Sequence, residues 1–296
     1  IDRALASQVT GICSFAFQVA TAAIDGTIIS LADTGTTYHL LLRFNTDRTL
    51  SLVRGDGTVL ATSTAMLTNT VWAWIEFKWK IANSISASDV VVKMDGVTIL
   101  DLAAATDTQN SANAFAGRLV LGANSFEPNN NAARIYDDFV LMDLTGSFNN
   151  TFINESRIST LYPNGNGNAN QWVNQAANST NNYLSVDDPT SIDSDTTYVG
   201  SSTVTETDQY TYTDTDVTVT SIKAVVLTHA SRKTDVGARG VTPVIRMAST
   251  DYPGTEILLS SSYRVYQEIH ETRPSDAAVW TKSDVDAAQF GMKVST

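Results

Sequence analysis

The sequence predicts an all-β protein built from two β-sandwich (jelly-roll) domains in tandem. Threonine is its commonest polar residue, with 39 among 296 residues, and its branched Cβ favours strands over helices. Several segments alternate strictly between apolar and polar residues, which is the pattern of half-buried strands. A chain of this length suits two domains of about 150 residues each. We expect them to span residues 1–148 and 149–296.

The first half reads as a succession of short strands. Thr37–Phe44 alternates, and Val71–Ile81 alternates more strongly, with an aromatic and aliphatic set facing one way. Asp56-Gly57 and Asp95-Gly96 each separate two apolar runs. Both dipeptides supply the positive φ angles of tight hairpins. These patterns identify strands that pair with their neighbours in sequence.

The amino-acid composition changes in the middle of the chain. Of the 20 asparagines, 17 lie between Asn110 and Asn182. Residues 162–182 contain Pro163 and two Asn-Gly pairs, all of which are common in turns. The composition therefore predicts a long Asn/Gly-rich surface loop near 162–182.

Strands are predicted again in the last third, followed by one helical turn. In Val217–Thr228 four consecutive apolar residues at 224–227 indicate burial on both faces. One face would be the core and the other a domain or subunit contact. Residues 283–288 predict the helical turn, with Ser283 or Asp284 as its cap. The predicted strands here are Asp208–Asp214, Val217–Thr228, Val241–Met247, Ser262–His270 and Phe290–Val294.

Charge and composition exclude several classes of function. The formal net charge is −12, which disfavours a nucleic-acid-binding surface and adsorption to anionic lipid. No run of 18 apolar residues is present, so we expect no membrane insertion. The single Cys13 excludes an internal disulfide. The first residue is Ile1 and not methionine, which fits a processed product, a fragment or an incompletely known sequence that lacks an N-terminal anchor.

The segment from Arg134 to Asp143 has an Asp-Asp pair ahead of an apolar strand. It resembles the closing strand of the concanavalin-A-like, laminin-G-like jelly roll. The Val90–Leu100 hairpin and the Gly117–Leu121 strand stand in the order of that family. The resemblance covers roughly residues 10–145 and implies a lectin-like sandwich for the first domain.

Short motifs across the second half form a second pattern. They are Tyr162-Pro163-Asn164-Gly165, Gln171-Trp172, Val186-Asp187-Asp188, Ala230-Ser231-Arg232-Lys233, Glu271-Thr272-Arg273-Pro274, Val279-Trp280-Thr281 and Phe290-Gly291-Met292-Lys293-Val294. Together they resemble the C-terminal part of tailed-bacteriophage virion proteins, over residues 150–296. The resemblance implies a virion structural protein: a capsid decoration, a head fibre or a tail appendage. It implies other virion proteins as partners and self-association, with a trimer favoured by analogy with phage fibres. The alternative is a carbohydrate-binding module of a secreted or cell-surface bacterial protein, located outside the cell.

Carbohydrate binding has one candidate surface. Trp72 and Trp74 lie two residues apart on a predicted strand and therefore share a face, and indole rings stack on sugar rings. Glu76 lies on the same face and offers a hydrogen-bonding partner to sugar hydroxyls. The competing interpretation is that both indoles pack against neighbouring strands or the second domain.

We expect no cofactor, and calcium is the one alternative that the residues leave open. Calcium prefers six to eight oxygen ligands, and the acidic loop of the second half offers Asp187, Asp188, Asp193 and Asp195. The competing interpretation is a solvated turn cluster. Asp137 and Asp138 would point to opposite faces of a regular strand, so we expect them to form structural hydrogen bonds.

The sequence lacks a suitable set of catalytic residues. We therefore expect that the protein is not an enzyme and that it releases no reducing ends from polysaccharides. Glucanases of the lectin-like fold use Glu-x-Asp-x-x-Glu, and the nearest approach is Glu206-Thr207-Asp208, without the last glutamate. A Ser-His-Asp arrangement would have to use His39, His229 or His270, and no Gly-x-Ser-x-Gly elbow is present.

Overall fold

The computed structural model describes residues 1–20, 24–83, 89–102, 106–122, 133–188 and 191–296. Strands make up 49% of the described residues and helices 4%, which confirms the all-β prediction. The chain divides into two compact units, Ile1–Ile158 and Ser159–Thr296. Among the described residues, no helix has the length and apolar character needed to cross a bilayer.

The strands of the first unit form two antiparallel sheets. In chain order they are β1 Asp2–Gln8, β2 Thr10–Val19, β3 Gly26–Ala32, β4 Tyr38–Phe44, β5 Thr49–Arg54, β6 Val59–Met66, β7 Ala73–Lys80, β8 Val90–Met94, β9 Val97–Leu102, β10 Ala116–Leu121 and β11 Arg134–Met142. One sheet has the order β1-β10-β3-β4-β5-β6 and the other the order β11-β2-β7-β8-β9. The two sheets face each other across one core, as in a sandwich.

The core of the first unit follows from the period-two pattern of its strands. Phe15 and Phe17 of β2 and Phe77 and Trp79 of β7 are fully buried from one sheet. They meet leucines of β4 and β5 from the other sheet in a single apolar cluster. The inward face predicted for residues 71–81 is confirmed for those that lie in β7.

The two predicted hairpins are present where the Asp-Gly pairs stand. Gly57 has φ 93° between β5 and β6, and Gly96 has φ 79° between β8 and β9. Asp95 also has a positive φ, of 51°. Positive φ at both central residues is typical of a tight two-residue hairpin; the second hairpin has it, whereas in the first only Gly57 does.

The second unit contains one large sheet, two short ribbons and two short helices. Its strands are β12 Pro163–Asn170, β13 Val173–Asn174, β14 Val199–Gly200, β15 Thr207–Tyr212, β16 Val225–Ser231, β17 Gly240–Met247, β18 Thr250–Pro253, β19 Ile257–Leu258, β20 Arg264–His270 and β21 Gln289–Val294. The large sheet has the order β12-β15-β21-β17-β18, and β19 also pairs with β17. β13 pairs with β14, and β16 pairs with β20. The helices are the 3-10 helix Asn182–Ser185 and α1, Lys282–Ala287.

The β16–β20 ribbon packs over the large sheet. Leu227 of β16 joins Ile245 of β17, Phe290 of β21 and Trp280 in one buried cluster. The second unit is therefore also two-layered, with layers of unequal size. Four of the five predicted strands match β15, β17, β20 and β21 to within two residues at each end.

The loop predicted near 162–182 is wrong for its first part, because residues 163–170 form the edge strand β12. β12 pairs with β15 through two register irregularities. Its glycines permit a close approach: a Cβ on Gly167 would lie 2.7 Å from the backbone of Gln209. Asn and Gly favour turns locally, but here the backbone pairing with β15 overrides that preference.

Two further predictions need correction. The strand predicted from Val217 begins only at Val225, and the residues before it are mostly exposed. The cap of α1 is Thr281, not Ser283 or Asp284. Thr281 accepts a hydrogen bond from the Asp284 backbone N–H, and the Asp284 side chain accepts one from the Thr281 backbone in a capping box.

We expect Gly167→Ala to destabilise the second unit by about 1–3 kcal/mol, because the added methyl overlaps the neighbouring strand. The matched control is Gly200→Ala in β14, where nothing lies within 4 Å of the added atom, so its change should stay within about 0.5 kcal/mol. Urea unfolding monitored by fluorescence measures both. A Gly167→Ala variant as stable as the wild type would show that residues 163–170 behave as a loop.

Candidate functional site

A segment of chain covers the outer face of the β11-β2-β7 sheet. Ile153 packs there with Trp74, Ile12 and Met142 in a small buried cluster, and Phe152 lies at its edge. This cluster is separate from the main core and lies on the opposite side of the sheet. The predicted sugar-binding face is therefore an internal face.

Glu76 anchors the covering segment. Its Oε1 accepts hydrogen bonds from the backbone N–H of Ile153 at 3.0 Å and of Asn154 at 3.1 Å. The Ser14 hydroxyl, which stands opposite Glu76 in the β2–β7 register, donates to the same oxygen at 3.5 Å. Glu76 is fully buried, and these bonds replace the lost hydration of Oε1, whereas Oε2 has no hydrogen-bond partner among the described residues.

Asp138 anchors the same segment from β11. Its Oδ1 accepts from the Ile158 backbone N–H at 2.7 Å, and its Oδ2 from Arg157 at 3.2 Å. Asp138 has φ 54° at a shift in the β11–β2 register, which is the geometry of a β-bulge. The bulge turns Phe139 into the main core. The Asp-Asp pair therefore has the structural hydrogen-bonding role that the sequence predicted.

The glycan prediction is wrong for two of its three residues. Trp74 is only 4% exposed and Glu76 is buried, whereas Trp72 is 44% exposed and precedes β7. The two indoles do not form one platform, because Ile153 packs against Trp74. The same packing places the end of the first unit at Ile158, where the sequence predicted a boundary after residue 148.

Three of the four carboxylates predicted to bind calcium accept hydrogen bonds from within the fold; Asp188 accepts one from the Asp193 backbone N–H at 3.3 Å. The set is Asp187, Asp188, Asp193 and Asp195. Asp193 accepts hydrogen bonds from the Thr197 backbone at 3.2 Å and hydroxyl at 2.8 Å. Asp195 pairs with Arg232 at 2.8 Å and accepts from the Tyr263 hydroxyl at 2.9 Å, and the Arg232 guanidinium lowers the pKa of Asp195. No three carboxylates, histidines or cysteines in the described ranges converge on one point, so the calcium prediction is not supported.

The histidines do not complete a nucleophile–base–carboxylate arrangement within the described part of the chain. His229 Nδ1 lies 2.7 Å from the Ser231 hydroxyl, and its Nε2 has no partner there. Burial lowers the pKa of His229 to about 4, so its ring is neutral at pH 7. His270 Nε2 lies 3.5 Å from Glu268. His39 is buried and its Nδ1 accepts from the Asn110 N–H at 3.0 Å.

The Glu206-Thr207-Asp208 segment holds the 172–182 region to the sheet. Asp208 is buried and accepts hydrogen bonds from the Tyr210 hydroxyl at 2.6 Å, from the Asn182 amide at 2.8 Å and from the Trp172 backbone at 3.3 Å. Burial raises its pKa. With every one of these bonds internal to the fold, Asp208 is a structural carboxylate.

A small cavity lies in the second unit, on the face of the large sheet that points away from the β16–β20 ribbon. Its volume is about 180 Å³. We call it the Lys293 cavity; its lining residues are Val204, Thr205, Thr242, Pro253, Lys293, Val294 and Ser295. The β15-β21-β17 register sets Thr207, Lys293 and Thr242 side by side. Sequence reasoning missed this cavity, because it predicted the strands without their register.

Comparison with known proteins gives weak structural matches. No family model and no curated protein matches the chain. A Trypanosoma rangeli sialidase aligns with TM-score 0.35 and 11% identity over 45% of this chain and 20% of its own. The alginate lyase Aly36B aligns with TM-score 0.35 and 14% sequence identity. An endo-β-1,4-glucuronan lyase from the fungus Trichoderma reesei aligns with TM-score 0.37 and 13% sequence identity. Each of these two matches covers 48% of this chain and 72% of the lyase.

The chain spans about a fifth of the length of the sialidase. All three neighbours are named as carbohydrate-active enzymes. Similarity of this degree carries no inference about the activity or ligand of this chain, and none of these matches bears on a phage origin.

We expect Trp74→Ala to destabilise the first unit by about 3–5 kcal/mol, since it removes a buried indole. Trp72→Ala serves as the matched control and should cost less than about 1 kcal/mol, because that side chain is largely exposed. Thermal unfolding measures both. Equal, small losses would mean that residues 152–158 do not cover Trp74.

Proposed function

We propose that the protein is a non-catalytic structural module of a multi-copy surface assembly, such as the outside of a phage virion. The proposal is supported by the hydrogen bonds of three carboxylates. Glu76, Asp138 and Asp208 accept hydrogen bonds from backbone and side-chain donors of their own units. A hydrolase keeps paired carboxylates open to substrate. In this protein the buried carboxylates instead hydrogen-bond to groups within the fold.

The observation that carries the proposal is an apolar face of the β16–β20 ribbon. Val226 stands opposite Ile269, Thr228 opposite Gln267 and Ala230 opposite Val265, all on the face away from Leu227 and the core. Ile269 is 65% exposed and Val265 58%. This outer ribbon face carries no charged side chain. Exposed apolar faces of this kind mark interaction sites.

A second copy of the chain is the partner that fits the outer ribbon face. The chain carries a net charge of −12, so most of its surface resists contact with another copy. The uncharged face brings no like charges together, and identical faces can meet around a symmetry axis. Seven-residue strands give an area of roughly 230 Å² per copy, well below the ~800 Å² per partner of a stable interface. The contact is therefore weak by itself and suits an assembly that holds many copies together.

The second candidate function is carbohydrate binding outside the cell. The observation that favours it is the Lys293 cavity, where hydroxyls and one ammonium group surround a volume of about 180 Å³. Convergent polar groups in a concavity are typical of small-ligand sites. An adhesive surface module would combine both functions.

We expect the isolated chain to self-associate only weakly, at about millimolar concentration, and Ile269→Asp to remain monomeric there, because a carboxylate on each outer ribbon face adds desolvation and like-charge repulsion. The control is Val217→Asp, an exposed apolar residue outside the ribbon, which should associate like the wild type. Light scattering measures the mass. A monomeric wild type, or an Ile269→Asp variant that associates normally, would contradict the proposed contact. Mass spectrometry of a purified particle tests the virion location.

A further inference from the structure

Lys293 is an unpaired cation in a strongly acidic chain. It forms no ion pair with any described residue, whereas Lys78 pairs with Asp89 and Lys282 with Asp286. The chain has 31 acidic and 19 basic residues, so a lysine that faces a concavity without a carboxylate partner is an available charge. An opposite charge on a ligand would complete the pair.

A hydroxyl group beside Lys293 is also free to bind. Thr242 is 8% exposed, stands directly opposite Lys293 in the register, and its hydroxyl makes no hydrogen bond to a residue of the described ranges. The Ser295 hydroxyl also has no partner among those residues, but it is enclosed beside Gly240 and Glu256 and does not open into the cavity. Buried polar groups are normally hydrogen-bonded, so the free Thr242 hydroxyl points to an absent ligand or to water.

The remaining lining of the Lys293 cavity consists of three apolar residues and the polar Thr205. Pro253 and Val294 contribute carbon surface, and Val204 closes the side formed by the chain before β15. The volume of about 180 Å³ is below the 300–1,000 Å³ or so of sites for drug-sized ligands. It suits one small ring or a single terminal residue of a chain.

We propose that the Lys293 cavity binds the carboxylate of an acidic sugar residue, with Lys293 on the carboxylate and the Thr242 hydroxyl on a sugar oxygen. The proposal rests on the second candidate function, carbohydrate binding, and names its substrate class. One ammonium group matches a monoanion. A phosphate dianion would need a second cation, and the lining supplies none.

The net charge of −12 acts against an anionic ligand, because it repels anions at long range. Short-range pairing inside the Lys293 cavity acts against that repulsion. The two effects together give weak binding, in the millimolar range for one site. Many copies on one particle would raise the overall avidity.

The test uses the full chain and sodium glucuronate as the probe, with glucose and inorganic phosphate as the comparison ligands. Chemical-shift titration should give millimolar binding of glucuronate, with glucose and phosphate each at least about tenfold weaker. Lys293→Met should weaken glucuronate about tenfold or more. Lys80→Met is the matched control, since Lys80 forms no ion pair with a described residue and lies in the other unit, and it should bind like the wild type.

Thr242→Val provides a second variant of nearly the same shape, and it should weaken glucuronate while retaining the unfolding midpoint of the wild type to within a few degrees. Equal binding of glucose, tighter binding of phosphate, no binding of glucuronate, or full affinity in Lys293→Met would each overturn the assignment. Ile269→Asp should keep glucuronate binding. The titration tests the Lys293 cavity and the light-scattering experiment tests the outer ribbon face, so a negative result in one leaves the other proposal standing.

Discussion

Two buried carboxylates on one sheet determine how the first unit ends. Glu76 and Asp138 both accept hydrogen bonds from backbone N–H groups of residues 153–158. These N–H groups belong to a segment without strand partners, and buried backbone donors need acceptors. The carboxylates supply them from side chains, and Ile153 adds an apolar contact with Trp74. Without these two acceptors, the segment would leave the outer face of the sheet open to water.

This constraint decides which side chains of the sheet face are open to a ligand. An open face with Trp72, Trp74 and Glu76 would resemble a sugar platform. The covering segment buries Trp74 and engages Glu76, so these two side chains do not form such a platform. The two binding surfaces proposed above, the outer ribbon face at Val265 and Ile269 and the Lys293 cavity, lie in the second unit.

Local patterns predicted the strands well, because alternation and Asp-Gly turns report on neighbouring residues. β7 and the hairpins at Gly57 and Gly96 follow directly from them. The failures have non-local causes. The strand β12 depends on backbone pairing with β15, which Asn and Gly do not signal locally.

The candidate sites were harder to predict for the same reason. Alternation placed Trp74 and Glu76 away from the core correctly, but a segment about 80 residues later in the chain covers them. The Lys293 cavity requires the register of β15, β21 and β17. Asp137 and Asp138 were assigned a structural hydrogen-bonding role from the sequence, because alternation alone separates their side chains, although the partners of Asp138 could not be named.

Amide hydrogen exchange at Ile153, Asn154 and Ile158 tests the carboxylate anchors most directly. If Glu76 and Asp138 hold this segment, these three amides exchange only through larger opening events, at least ~100-fold slower than free peptide amides. Glu76→Ala should release Ile153 and Asn154, while Glu155→Ala, a change at a neighbouring exposed residue, should leave them protected. Unprotected amides at Ile153 and Asn154 in the wild-type protein would contradict the account, because the sheet face with Trp74 would then be open.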